Sequence, residues 1–388
     1  MQRSAVLLSV LLVVAAVGPA VGGVGAAAPV PETRPAFDGT HSETCDFPYT
    51  ERDATGTEVT IQSAPERVVT LNPSAAQTMW EIGAEAQVVG VSQYASYLDG
   101  AEAKANVSGP SGPSVERVLD AEPDVVLVPS SSYGAATERV AQLRAQGVPV
   151  FVFGEGTSLE FVANKTERIG RLTGNCEAGV RRAADMRQST ALMERALRDE
   201  ERALRDEERP VGLNVFFGYT SGADTFIGDV METGGLRNGA ADANVSGFQV
   251  INDETVVALD PEWIVVPENS PVPQNAAYNS TTAVQEGNVV VVDTNYLQQP
   301  APRAVIAAET ILAAVHPEAY DEYRTLQAHG DDDSTATPTT AARETVTETP
   351  TPEPPATTAT GTPGFGPALS VVALAAAMVS LAIRRRAR

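Results

Sequence analysis

Two segments of this chain carry one pattern. Residues 116–129 read ERVLDAEPDVVLVP and residues 254–267 read ETVVALDPEWIVVP. Aligned without a gap, Glu116 pairs with Glu254, Val118 with Val256, and Glu122-Pro123-Asp124 with Asp260-Pro261-Glu262. Each copy predicts a short helix, an acidic-Pro-acidic turn and a buried strand. Two copies this far apart predict two structurally related lobes. A solenoid would need several copies at short period.

The surrounding sequence supports this reading. Apolar β-branched runs (RVVTL, QVVGV, DVVLV, VPVFVF) alternate with helical patterns (SAAQTMWEIG, SVERVLDAE, AATERVAQLRAQG). Short buried strands separated by helices predict βαβ units and parallel sheets, an α/β fold. Residues 59–61 and 68–71 read as strands with a turn at Pro65-Glu66 between them. A long helix is expected over 177–209, stopped by Pro210 and containing the tandem heptad RALRDEE. The alternation then restarts with GLNVFFGY, ETVVALDPEWIVV and NVVVVD. The expected organisation is an N-terminal lobe over 29–176, a linking helix over 177–209 and a C-terminal lobe over 210–330.

The flanks are of another kind. Residues 1–28 carry Arg3, an apolar run and small residues, the form of a secretory signal. Residues 331–362 are a Thr/Pro-rich acidic stretch that has almost nothing to bury and reads as a disordered stalk. Residues 363–388 hold Pro-Gly-Phe, an apolar stretch and an arginine cluster. Export makes a Cys45–Cys176 disulfide the expected state of the two cysteines. It also makes Asn106, Asn164, Asn244 and Asn279, each in an Asn-X-Ser/Thr sequon, candidate glycosylation sites.

Charge and residue choice narrow the chemistry. There are 50 acidic and 27 basic residues, a net charge of −23, and the only lysines are Lys104 and Lys165. Such a field disfavours nucleic acid as a partner and is the balance that halophiles use. The three histidines, His41, His316 and His329, have no ligand spacing, and no CxxC or HExxH occurs, so no metal site is expected. No phosphate loop or nucleophile elbow is present, so neither a catalytic residue nor a resident cofactor is expected. Aromatic residues do follow the strands in both halves: Tyr94, Tyr133, Phe217, Tyr219 and Tyr296, with Arg303 near the last. In open α/β sheets ligands bind beyond the carboxyl ends of the strands, so these residues predict a cleft between the lobes.

The blocks RVVTLNPSAAQTMWEIGA, VVGVSQYASYLDG and SVERVLDAEPDVVLV, followed by a long helix, resemble the periplasmic binding proteins of ABC importers for cobalamin, iron-siderophores and haem. The resemblance covers about 67–323 and implies two Rossmann-like lobes joined by one rigid helix, with the ligand between them. It implies an ABC permease with its ATPase as partners, a monomer, and a cobalamin or another large metal chelate as ligand. In that family one glutamate on each lobe docks permease arginines, and Glu116 and Glu254 occupy the matching positions. GVSQYASYLDG and NYLQQPAPR look most like the cobalamin binders, which makes Tyr94, Asn295, Tyr296 and Arg303 candidate ligand contacts with Phe217 and Tyr219 opposite. One departure is the loop SGPSGPS before Glu116, which has no aromatic where cobalamin binders can present one; ferric siderophore and haem therefore stay open. The tail resembles the PGF-CTERM sorting signal of archaeal surface proteins. That resemblance implies removal of the tail by an archaeosortase and a lipid anchor in the cytoplasmic membrane. An exported enzyme on the same scaffold, or a purely structural envelope glycoprotein, are the readings from other classes.

Overall fold

A computed structural model describes residues 45–201 and 209–334. The expected signal, stalk and sorting tail, and the second RALRDEE heptad, lie outside the described residues.

The N-terminal half contains β1 (Tyr49–Arg52), β2 (Glu58–Ile61), β3 (Val68–Thr70), α1 (Pro73–Glu81), β4 (Val88–Val91), β5 (Ala105–Asn106), β6 (Ser108–Gly109), β7 (Gly112–Pro113), α2 (Val115–Asp120), β8 (Val125–Val128), α3 (Ser130–Ala145), β9 (Val150–Val152) and α4 (Leu159–Thr173). Helix α5 (Cys176–Glu201) follows. The C-terminal half contains β10 (Val211–Asn214), β11 (Tyr219–Ser221), α6 (Phe226–Thr233), β12 (Arg237–Asn238), α7 (Gly239–Asp242), β13 (Phe248–Val250), α8 (Asp253–Leu259), β14 (Trp263–Pro267), α9 (Ala276–Asn279), α10 (Thr282–Glu286), β15 (Val289–Val292), α11 (Thr294–Leu297), α12 (Ala304–Val315) and α13 (Pro317–Ser334).

The N-terminal sheet is parallel throughout in the order β5-β4-β3-β8-β9, and the C-terminal sheet is parallel in the order β12-β10-β14-β15. Four strands of each therefore follow one plan, with the first strand of the half lying between the second and third. Strand β2 pairs antiparallel with β1, not with the neighbouring β3, which instead enters the centre of the parallel sheet. The apolar run of β3, buried on both faces, suits a central position.

The repeated unit folds alike in both lobes. Ser114 and Asn252 cap α2 and α8 by accepting from the backbone N–H groups of Arg117 and Thr255. Val118 and Val256 are fully buried. Glu122 and Asp260, the first acids of the two turns, both take left-handed backbone angles, at φ 44° and 40°. The second acids then reach back to the start of the central strand region. Asp124 Oδ2 accepts from Glu66 N and Arg67 N at 2.8 and 2.9 Å, and Glu262 Oε1 accepts from Val211 N at 3.0 Å. Each acid satisfies backbone donors at the entrance of its own sheet, which explains an acid-Pro-acid turn in both copies.

Helix α4 ends at Gly174 in a left-handed cap, and α5 starts almost at once. A Cβ on Gly170 would stand 2.9 Å from Gly179 Cα, so the two helices cross at a distance only glycine allows. Cys45 and Cys176 are joined by a disulfide at this crossing, with Cα atoms 5.6 Å apart. Helix α4 serves both lobes. Leu159, Val162 and Ala163 pack in the core that includes α5, α6 and α12, while Ile169 and Leu172 pack with α1 and β9 in the N-terminal core. The linkage between the lobes is thus the α4–α5 pair, wider than the single helix expected.

Candidate functional site

The carboxyl ends of both sheets border one cleft of about 500 Å³. From the N-terminal lobe come Asn72 after β3, Pro129 and Ser130 after β8, Gly154-Glu155-Gly156 after β9, and Phe161 and Lys165 from α4. From the C-terminal lobe come Phe216, Ser221, Asp224, Phe226, Phe248 and the 298–300 segment.

The C-terminal wall is aromatic. Phe216 and Tyr219 exchange two backbone hydrogen bonds of 2.9 Å, closing a two-residue turn at Phe217-Gly218. Both central residues have positive φ, 48° and 83°, the signature of a type I′ hairpin turn, which favours Asn, Asp or Gly. A phenylalanine there is strained, and its ring is 64% exposed. Strained and exposed aromatic residues concentrate at ligand sites, so Phe217 stands out physically. Strand β11 pairs antiparallel with β13, which sets Tyr219 and Phe248 ring on ring, centroids 5.0 Å apart and 9° from parallel. Phe216 packs edge-on to Phe217 and tilted to Phe248, at 4.8 and 6.1 Å. The result is a ledge of four rings, three of them largely exposed.

The other sequence candidates are placed differently. Tyr94 follows β4 on the carboxyl edge of the N-terminal sheet, 68% exposed, outside the cleft lining. Tyr133, partly buried, packs against the N-terminal core and Tyr296, partly buried, against the C-terminal core, and neither lines the cleft. Arg303 is also placed away from the cleft. Its Nε lies 2.7 Å from Glu81 Oε1, and Arg182 Nε lies 3.1 Å from Glu81 Oε2. Gln77 accepts from Arg303 N and donates to the backbone oxygen of Asn295 and to Tyr97 Oη. Asn295 and Arg303 thus belong to a seam that holds α1 of one lobe to the 295–303 segment of the other. The guanidinium goes to Glu81 because two arginines share that half-buried carboxylate.

Residues that sequence reasoning passed over include Phe216, Phe248, Gln298 and Lys165. Lys165 is 3% exposed and lines the cleft. Its Nζ donates to the Pro300 carbonyl and, at 3.4 Å, to Ser74 Oγ, and it has no carboxylate partner. Burial pulls the ammonium down to about 7. The signal was present: one of only two lysines in an arginine-rich chain. Unlike arginine, lysine changes protonation readily when buried.

Glu116 and Glu254 are the second residues of α2 and α8, both exposed, and neither has an ion-pair or hydrogen-bond partner for its side chain among the described residues. Because each helix runs back antiparallel to the strand that follows it, both carboxylates lie toward the cleft-bearing edge of their sheets. Of the sequons, Asn106 and Asn244 are exposed outside helices. Asn164 and Asn279 have their threonines, Thr166 and Thr281, buried and bonded to backbone oxygens. Among the described residues, no cluster of His, Cys, Asp or Glu is arranged to hold a metal ion, and no helix is long and apolar enough to cross a membrane.

Comparison with known proteins agrees with this architecture. The chain is 41% identical over 326 residues to a cobalamin-binding protein of Halobacterium salinarum, covering 81% of this chain and 85% of that protein. The fold matches the periplasmic heme-binding protein RhuT of Roseiflexus sp. RS-1, with a TM-score of 0.57 at 24% identity, over 66% of this chain and 99% of that one. It also matches the periplasmic vitamin B12 binding protein BtuF of Vibrio cholerae, with a TM-score of 0.53 at 21% identity, over 66% of this chain and 98% of that one. The periplasmic binding protein family itself matches residues 68–296, from β3 to α11 and so across both lobes and the cleft, and the chain belongs to that family.

Proposed function

We propose that this protein is the extracellular substrate-binding component of an ABC importer, capturing cobalamin or a related corrinoid between its lobes and handing it to a membrane permease driven by an ATPase. The observation that carries this reading is the ledge of Phe216, Phe217, Tyr219 and Phe248 beside the interlobe cleft. An exposed, apolar, ring-lined wall suits a large chelate with apolar faces, and burying one such face removes much apolar area from water. The 41% identity to a cobalamin-binding protein supports the same ligand. Glu116 and Glu254, exposed and unpaired, are the docking points for cationic side chains of the permease.

Haem and ferric siderophores are the alternative ligands. Haem is the weaker of these, because neither histidine among the described residues is offered to the cleft: His316 is buried against Gly235 O and His329 bonds its own helix. Titration of the full-length chain in detergent and molar salt with cyanocobalamin, hemin and a ferric hydroxamate, followed by calorimetry, tests the choice. Micromolar or tighter binding of cyanocobalamin alone is expected, and saturable binding of another chelate without it overturns the corrinoid reading.

The flanking sequence supports an exported, surface-held protein. In this reading residues 1–28 direct export, an archaeosortase removes the segment beginning near Pro363, and a lipid then holds the stalk at the cytoplasmic membrane. Intact mass of the cell-surface protein checks it; retention of Arg384–Arg386 and Arg388 would contradict tail removal.

A further inference from the structure

Lys165 and Gln298 both line the cleft from opposite lobes, Lys165 on α4 and Gln298 just after α11. The two are neighbours across the seam, because Lys165 Nζ donates to Pro300 O, two residues from Gln298. An ammonium carries three N–H donors, and here the Pro300 carbonyl and Ser74 Oγ take two. Gln298 Nε2 is shielded from solvent and has no hydrogen-bond partner at all. A cation with no carboxylate and an amide donor with no acceptor are both costly inside a protein. A neutral donor at position 165 would hold the Pro300 carbonyl equally well, so a role as strap between lobes does not explain the charge.

The rest of the lining sharpens the point. Among the described residues bordering the cleft, Lys165 is the sole cation, while Glu155 and Asp224 are carboxylates. An anionic group entering with a ligand is repelled elsewhere and has one place to be met. The ledge, by contrast, offers mainly aromatic area and distinguishes little between chelates of similar size.

We propose that Lys165 and Gln298 form an acceptor subsite that takes an anionic phosphate oxygen of the bound chelate. For a corrinoid, that oxygen belongs to the phosphodiester of the nucleotide loop. The inference rests on the corrinoid reading above and adds to it a specificity rule. The protein favours the complete corrinoid over one without the loop, through a charge-assisted bond to Lys165 and a second bond to Gln298.

The test uses the full-length chain and two probes, cyanocobalamin and dicyanocobinamide, the second lacking the nucleotide loop and its phosphate. Calorimetry of the unmodified protein is expected to show cyanocobalamin bound about 10-fold or more tighter than the cobinamide. In Lys165→Met that preference falls to within about 3-fold, with cobinamide affinity unchanged. Gln298→Leu moves the ratio the same way by a smaller step and keeps the test alive if the Lys165 variant folds poorly. Equal weakening of both probes by Lys165→Met, or of neither, overturns the subsite while leaving the corrinoid reading intact. Failure of the unmodified protein to bind either probe overturns that reading and the subsite together. Inorganic phosphate in the same titration separates sources: competition against cyanocobalamin but not against the cobinamide supports the subsite, and equal competition against both contradicts it.

Discussion

The two lobes share a frame and differ at the face they turn to each other. Both run their core strands in the same order, cap the helix before the third strand in the same way, and bend at a left-handed acid, Glu122 or Asp260. Yet the N-terminal lobe brings to the cleft mainly polar and glycine-rich loops plus Lys165, and the C-terminal lobe brings the ring ledge on β11 and β13. The two faces also rest on different supports. The N-terminal lobe is braced by the β1–β2 hairpin, by Asp53 beneath it and by the Cys45–Cys176 disulfide. The difference teaches that the repeated unit encodes the scaffold and the two matched carboxylates Glu116 and Glu254, while the loops at strand ends were free to specialise.

The largest expected effect lies in the N-terminal brace. Asp53 is buried, pairs with Arg144 and accepts from the backbone of Thr55, Thr57 and Val152. Burial pushes its carboxyl up, but the bonds from Thr55, Val152 and Thr57 outweigh that and hold it below the usual range. Asp53→Ala strands these donors and should cost about 3–5 kcal/mol, read by thermal unfolding. Trp80 lies in one lobe and Trp263 in the other, so phenylalanine replacement of either isolates the fluorescence of one lobe. Simultaneous melting of both reporters would show that α4–α5 fuses the lobes into one cooperative unit; separate melting would show that the comparison extends to stability. The Asp53 contribution is present above the ordinary carboxylate range and is lost as pH falls through the lowered folded value.

The seam between the lobes gives a pH dependence of the same sign in a higher window. Lys165 falls from an ordinary 10.5 to about 7 on folding, so between those values the unfolded chain binds more protons. Stability should therefore rise with pH across that window, by on the order of 5 kcal/mol, and be lost as pH falls towards 7. Lys165→Met should flatten that slope and raise the melting temperature at pH 6. A slope unchanged in the variant would mean that Lys165 is solvated in the folded protein.

The faces themselves come next. Phe248→Ala removes one of the stacked rings and should weaken cyanocobalamin binding about 10- to 100-fold by calorimetry. Tyr94→Ala on the opposite lobe should change it less than about 3-fold, since that ring makes no contact with the ledge. Equal losses would erase the proposed asymmetry. Smallest is the docking pair. Glu116→Gln and Glu254→Gln should leave ligand affinity unaltered and each slow ligand transfer to permease-containing vesicles several-fold. A selective loss in one variant would show that the shared frame meets the permease unevenly.

Much of the frame was legible because it is written locally. Continuous apolar β-branched runs, the acid-Pro-acid turns and the capped helices are short-range features, and the paired units announced two lobes directly. The site was legible only in part. Phe217 and Tyr219 were named from their place after a strand, but their partner Phe248 lies on β13, a short strand without a strong apolar alternation. Arg303 was read as a ligand contact because it follows a binding-like run, and the sequence holds no sign that Glu81, far upstream, claims it.

The sequence by itself determined the α/β alternation, the two related lobes and the positions of Glu116 and Glu254, because each follows from residue periodicity or from two strings compared with each other. Only the tertiary structure decided which rings share a ledge, which arginines are spent on the seam, and that Lys165 is buried beside Gln298 without a counter-charge. Those outcomes depend on contacts between residues distant in the chain. Burial and pairing, and not the identity of the side chain, fix whether a charge is structural, silent or available to a ligand.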